Sequence, residues 1–322
     1  MIAKKFFVLI ALSTVATLAF IVSLSFGSVD IPAMKIFDGA ALTPTEHQII
    51  DNIRLPRTIV AMLVGINLAI SGAILQAVMK NPLADPHIIG ISSGAGLFGI
   101  FMMLVKNDAV NLVPPAAFVG AMLAALLIYV LAWKHGIRPI RVILAGVAVS
   151  AFLGAFISAM LIFYSDRVHG ALLWMVGGLS ARSWSHVEII LPYSIVGTIL
   201  ALLGTKHLNV LQLGDEVAKG LGQRVDLVRT LMTAVAALLA ASAVCVVGLL
   251  GFVGLIVPHS ARLIIGSDHR WLLPATGFLG AAVVTFSDTV ARTIFAPTEL
   301  PVGILMAMLG APFFLYLLRR EL

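Results

Sequence analysis

Leu231–Leu250 reads LMTAVAALLAASAVCVVGLL, without one formally charged residue. As a helix rising 1.5 Å per residue, a run of this length covers roughly 30 Å, the thickness of a bilayer's hydrocarbon core. Ile189–Leu203, IILPYSIVGTILALL, has the same character. Neither run alternates apolar and polar residues as a membrane-barrel strand does over about ten positions. In lipid the backbone must satisfy its own hydrogen bonds, which helices and closed barrels alone achieve. These runs are therefore membrane helices.

Comparable apolar runs recur along all 322 residues, placing spans at 6–26, 57–79, 90–105, 112–133, 142–163, 189–204, 228–247, 250–265, 272–292 and 301–318. The chain is 60% apolar and 11% charged, with mean hydropathy +1.07. A soluble domain carries about 25% charged residues. Lys4 and Lys5 before the run Phe6–Phe26 imitate a secretory signal. That run is longer than a typical signal core and lacks a small-x-small cleavage site, so it reads as the first span. The single cysteine, Cys245, excludes an internal disulfide framework. A net charge of +6 raises nucleic acid as a partner, but the basic residues sit in short loops where membrane topology accounts for them. No nucleic-acid partner is expected.

About ten spans put both termini on one side. Loops assigned to that inner side hold 14 of the 21 Lys and Arg residues. The outer segments hold the other seven: Lys35, Arg54, Arg57, Lys106, Arg167, Arg182 and Arg292. The bias matches the positive-inside rule for N-in, C-in topology. One membrane domain over 1–322 is expected, with longer connections at about 165–187 outside and about 205–229 inside. The outer one has a short amphipathic run around Ala171–Met175, followed by Gly177 and Gly178, and is expected to lie on or dip into the outer face. In the inner one, Leu213, Val217 and Leu221 recur at i, i+4, i+8, predicting a short helix with an apolar edge that needs a partner.

Several patterns imitate catalytic motifs. Gly90–Gly94 fits G-x-S-x-G, yet a nucleophile elbow needs a preceding strand. Ser92 and Ser93 are expected to cap a helix start. Gly94–Gly99 fits G-x-G-x-x-G but has no βαβ unit around it. His87, His259 and His269 fall at predicted inner helix ends and form no metal pattern. GxxxxGK[ST] is absent from the sequence, so a P-loop cannot hold ATP here. Small residues at Gly146, Ser150 and Gly154, and at Gly248, Gly251 and Gly254, are expected to let helices approach closely. Ion-coupled carriage needs ionisable groups within spans. Asp288 is the clearest candidate, expected to pair with Arg292 four residues on, while Asn67 and Gln76 are further polar intruders. An ion-coupled secondary transporter is the alternative reading.

Longer blocks carry a family resemblance. Arg54-Leu-Pro-Arg57, VGINLAISGAILQAVMKNPLADPHIIGISSGAG (64–96), LGDEVAKGLG (213–222), GFVGLIVPHSARLIIGSDHRWLLP (251–274) and SDTVARTIFAPTELPVGILMAMLGAPFFLYLLRR (287–320) resemble the FecCD-type permeases of bacterial ABC importers for iron-siderophores, haem and vitamin B12. The resemblance implies an all-α, ten-helix subunit of type II importer architecture in the bacterial cytoplasmic membrane. It implies a second permease subunit, identical or paralogous, and a cytoplasmic ATPase dimer. An external substrate-binding protein completes the set. It also implies no enzyme activity and no cofactor of this chain's own, ATP and Mg being held by the partner ATPase.

By the same resemblance, Arg54, Arg57 and Arg292 receive carboxylates of the binding protein. Spacing of i, i+3 would put the first two on one exposed face. Leu213, Gly214, Asp215, Glu216, Ala218, Leu221 and Gly222 match the family's coupling segment, which would sit in a cleft of the ATPase. Asn81 and Pro82 match the turn after the second helix.

Overall fold

The structure is a computed structural model that describes residues 2–27, 29–38, 42–87, 90–134 and 139–321. Helix α1 (Ile2–Ser25) leads through short α2 (Ala33–Phe37) and α3 (Pro44–Ile49) into a π-helical turn, Ile50–Arg54, and then α4 (Leu55–Val78). Then come α5 (Ile91–Val105), α6 (Val113–Ala132), α7 (Pro139–Phe163), short α8 (Val168–Val176) and α9 (Trp184–Leu203). Two short helices, α10 (Thr205–Gln212) and α11 (Asp215–Gly220), precede α12 (Val225–Val247). The chain ends with α13 (Val253–Ile265), α14 (His269–Thr293) and α15 (Val302–Glu321). A helix meets each expected span. Among the described residues, seven helices are long and apolar enough to cross a membrane, whereas α5, α13 and the apolar part of α15 are shorter.

Helix α4 is the axis of the molecule, packed against α14, α12, α13 and α9 and buried along most of its length. Around it, α1, α6, α7 and α9 turn Leu18, Val119, Leu126, Leu144, Phe152 and Ile199 outward. Lipid tails are as apolar as leucine, so burying such side chains cannot by itself drive helix pairing; close backbone approach and interhelical hydrogen bonds do. Both are present. A Cβ on Gly65 of α4 would run into the carbonyl of Gly280 of α14, and one on Gly94 of α5 into that of Gly120 of α6. Asn67 donates to Ser194 of α9 (2.7 Å) and Ser242 of α12 (2.9 Å), and Ser71 donates to the Ala236 carbonyl (2.7 Å). Gln76 accepts from Arg262 at 3.1 Å. The intruding polar residues of α4 therefore tie helices together.

Some local expectations change. The residue preceding α5 is Gly90 in the left-handed region (φ +94°), and no side chain caps that helix, so Ser92 and Ser93 do not. Gly90 is required there, because a Cβ would meet Ser150 Oγ and the Gly146 carbonyl. Gly154 and Gly251 face open space instead. His259 lies within α13 against the Phe313 ring rather than at a helix end.

Candidate functional site

Chemistry concentrates at two opposite ends of the long helices. At one end, Arg54 closes the π-helical turn and Arg57 opens α4 beside Pro56, the residue that suits a first helical turn. Arg57 binds Asp288 of α14 through Nε and Nη2, each at 2.9 Å, and Glu299 through Nη1 at 2.9 Å. Such two-pronged pairing exploits the planar guanidinium fork. Glu299 also accepts from the Ser180 hydroxyl at 2.5 Å. Arg54 donates to the carbonyls of Leu24 (2.7 Å), Ser25 (2.9 Å) and Val29. Arg292 donates to the Ser23 hydroxyl (2.8 Å) and carbonyl.

These three arginines are 3%, 5% and 5% exposed. The expectation of an exposed shared face is corrected. Arg54 turns toward α1 and Arg57 toward α14, because partners lie on different sides of α4. Asp288 pairs with Arg57, not with Arg292: two fork bonds across helices outcompete one i, i+4 contact. Sequence reading missed Glu299 and Ser180, whose partners are 242 and 119 residues away. It also missed a structural role for Arg182, which stands 2.9 Å from His186 Nε2. Burial, and then repulsion from Arg57, push the Arg182 guanidinium below its ordinary range.

At the opposite end, Gly214 (φ +108°) and Gly222 (φ +80°) bracket α11. Asp215 in its first turn accepts from Lys80 Nζ at 2.6 Å and from Arg229 Nη2 at 3.0 Å. Partial burial opposes ionisation of Asp215, but these two cations outweigh it and hold the carboxyl below its usual range. Ala218 is fully buried, whereas Leu213, Val217 and Leu221 are 59%, 51% and 64% exposed, and Glu216 is exposed too. The segment is thus pinned by charge on one side and bare and apolar on the other. Neighbouring α10 is anchored by Asn209, which donates to Asp268 at 2.7 Å.

Between the ends runs a mostly apolar groove of about 610 Å³, lined by Asp85, Val176, Leu249, Phe252, Ile304 and Met308 among others. Backbone bonds knit its walls. Gly303 N–H donates to Gly177 O at 3.0 Å, Gly178 N–H to Val247 O at 2.9 Å, and Leu249 N–H to Trp174 O at 3.2 Å. Among the described residues, no group of three His, Cys, Asp or Glu side chains is placed to hold a metal ion.

The FecCD transport family matches residues 15–320. The chain belongs to that family. It is 44% identical to the cobalamin import system permease protein BtuC of Halobacterium salinarum, over 91% of this chain and 80% of that one. It is 38% identical to the Fe(3+)-citrate import system permease protein YfmE of Bacillus subtilis, over 94% and 92%. It is 40% identical to the hemin transport system permease protein HmuU of Yersinia pestis, over 84% and 83%. Among solved structures, an inward-facing putative metal-chelate type ABC transporter superposes with TM-score 0.88 at 28% identity, covering 97% of this chain and 98% of that one. With seven long apolar helices and permeases as relatives, this family member is a multi-pass membrane protein.

Proposed function

We propose that this chain is the membrane-spanning permease subunit of an ABC importer for a metal chelate of the iron-siderophore, haem or cobalamin type. Among these an iron-siderophore is the favoured cargo, carried inward across a bacterial cytoplasmic membrane. Ten helices cross the bilayer with both termini inside. Two such subunits, identical or paralogous, flank the pathway. Separate cytoplasmic ATPases grip 213–222, and an external binding protein delivers cargo at the end carrying Arg54, Arg57 and Arg292.

The observation that carries this division of labour is the bare apolar row of Val217 on α11 and Leu213 and Leu221 at its two ends, a segment held in place by Asp215. An exposed leucine–valine row on a charged loop is a docking feature. The missing P-loop supports an ATPase on another chain. Docking at the arginine end draws support from the charge gathered there: four arginines, of which Arg292 keeps a buried Nε without an acceptor among the described residues. The ion-coupled alternative loses its main support, since Asp288 is engaged by Arg57.

Reconstitution tests the proposal. The chain should co-purify with an ATPase and take up chelate only with that ATPase and ATP present. Uptake by the chain alone under a proton or sodium gradient would refute it.

A further inference from the structure

Asp288 and Glu299 share one guanidinium, but they are not equivalent. Asp288 is 1% exposed and binds the Nε and Nη2 prongs, while Glu299 holds Nη1 and is 39% exposed. Glu299 is therefore the carboxylate that an incoming carboxylate can replace without leaving Arg57 short of a partner. Charge is conserved in that exchange, so the cost of stripping a buried cation is avoided.

Glu299 also sits where displacement matters. It lies shortly before Val302 opens α15, and its second partner, Ser180, lies shortly after α8 ends at Val176. Val176 and Ile304 line the groove, and the Gly303–Gly177 backbone bond joins the same two ends from within. Glu299 thus clamps the ends of α8 and α15 from outside while that bond clamps them from inside.

We propose that Glu299 is a positioning residue that acts as a latch. It occupies on Arg57 the place of a docking partner's carboxylate, and its displacement frees the α8 and α15 ends to part over the groove. The identity of the displacing partner rests on the docking reading above; the clamp itself does not.

The test uses the full chain in right-side-out membrane vesicles, with Leu255→Cys, buried on the groove wall, as a reporter and a membrane-impermeant maleimide as probe. Native Cys245 is buried and serves as an internal control. Glu299→Ala should label about tenfold faster at residue 255 than its parent, the scale of one lost charge-assisted hydrogen bond. Ser180→Ala should give a smaller increase, and Glu299→Asp should restore a slow rate. Cys245 should stay unlabelled throughout. Glu299→Ala labelling at the parent rate would overturn the latch, as would a rise at residue 255 matched by one at Cys245, which marks general loosening. No ATPase, cargo or binding protein takes part, so a negative result leaves the importer reading intact.

Discussion

Arg57 and Asp288 stand 231 residues apart in sequence and 2.9 Å apart in space. Breaking a buried pair by removing one member costs far more than deleting a surface contact, because the remaining charge is stranded. Asp288→Asn should therefore lower stability by about 3 kcal/mol, measured as a drop in detergent melting temperature. Glu299 moderates that loss by keeping one contact to Arg57. Asp215 behaves differently because it is partly solvated. With its folded-state ionisation depressed below the usual carboxylate range, the stabilisation from Lys80 and Arg229 is present above that range and lost as pH falls through the depressed value. Acidification should consequently loosen α11, which hydrogen exchange of its amides reports. Residue types at both sites were legible in the sequence, Arg57 and Asp215 included. Their partners were not, since pairing is set by how helices assemble, and the nearest same-helix neighbour misled for Asp288 and Arg292.

The long apolar helices were read with little loss, because a span in lipid needs a long uninterrupted apolar run; at α5, α13 and α15 the apolar helix is shorter than the run suggested. The fit between helices was less visible. Gly65, Gly280, Gly94 and Gly120 carry close backbone approaches between helices, yet in sequence they look like any other glycine. A methyl group at Gly65 or Gly280 must push α4 from α14. Gly65→Ala and Gly280→Ala should each cost about 1–3 kcal/mol by overpacking, whereas Gly154→Ala, facing open space, should leave the melting temperature unchanged. The exposed apolar row was legible, because Leu213, Val217 and Leu221 stand out on a charged loop. They do not share one helical edge, however: Gly214 (φ +108°) breaks the chain after Leu213, and α11 runs only from Asp215 to Gly220. Leu221→Asp should change stability by no more than about 0.5 kcal/mol, as expected of an exposed position. The same substitution should abolish co-purification of the ATPase.

Across the whole molecule, α4 runs from the arginine cluster to Lys80, which contacts Asp215. One rigid helix therefore joins the surface proposed to receive cargo to the segment proposed to receive the force of ATP hydrolysis. Its near-complete burial, and the interhelical bonds of Asn67 and Ser71, make it suited to move as a unit. For this coupling, the two ends of α4 must face opposite aqueous compartments. Single-cysteine variants decide this, with Asp51→Cys beside the arginine cluster and Glu216→Cys on α11, both positions exposed. A membrane-impermeant maleimide added to right-side-out vesicles should label residue 51 and leave residue 216 untouched until the vesicles are inverted. Labelling of both positions from the same side would contradict the account.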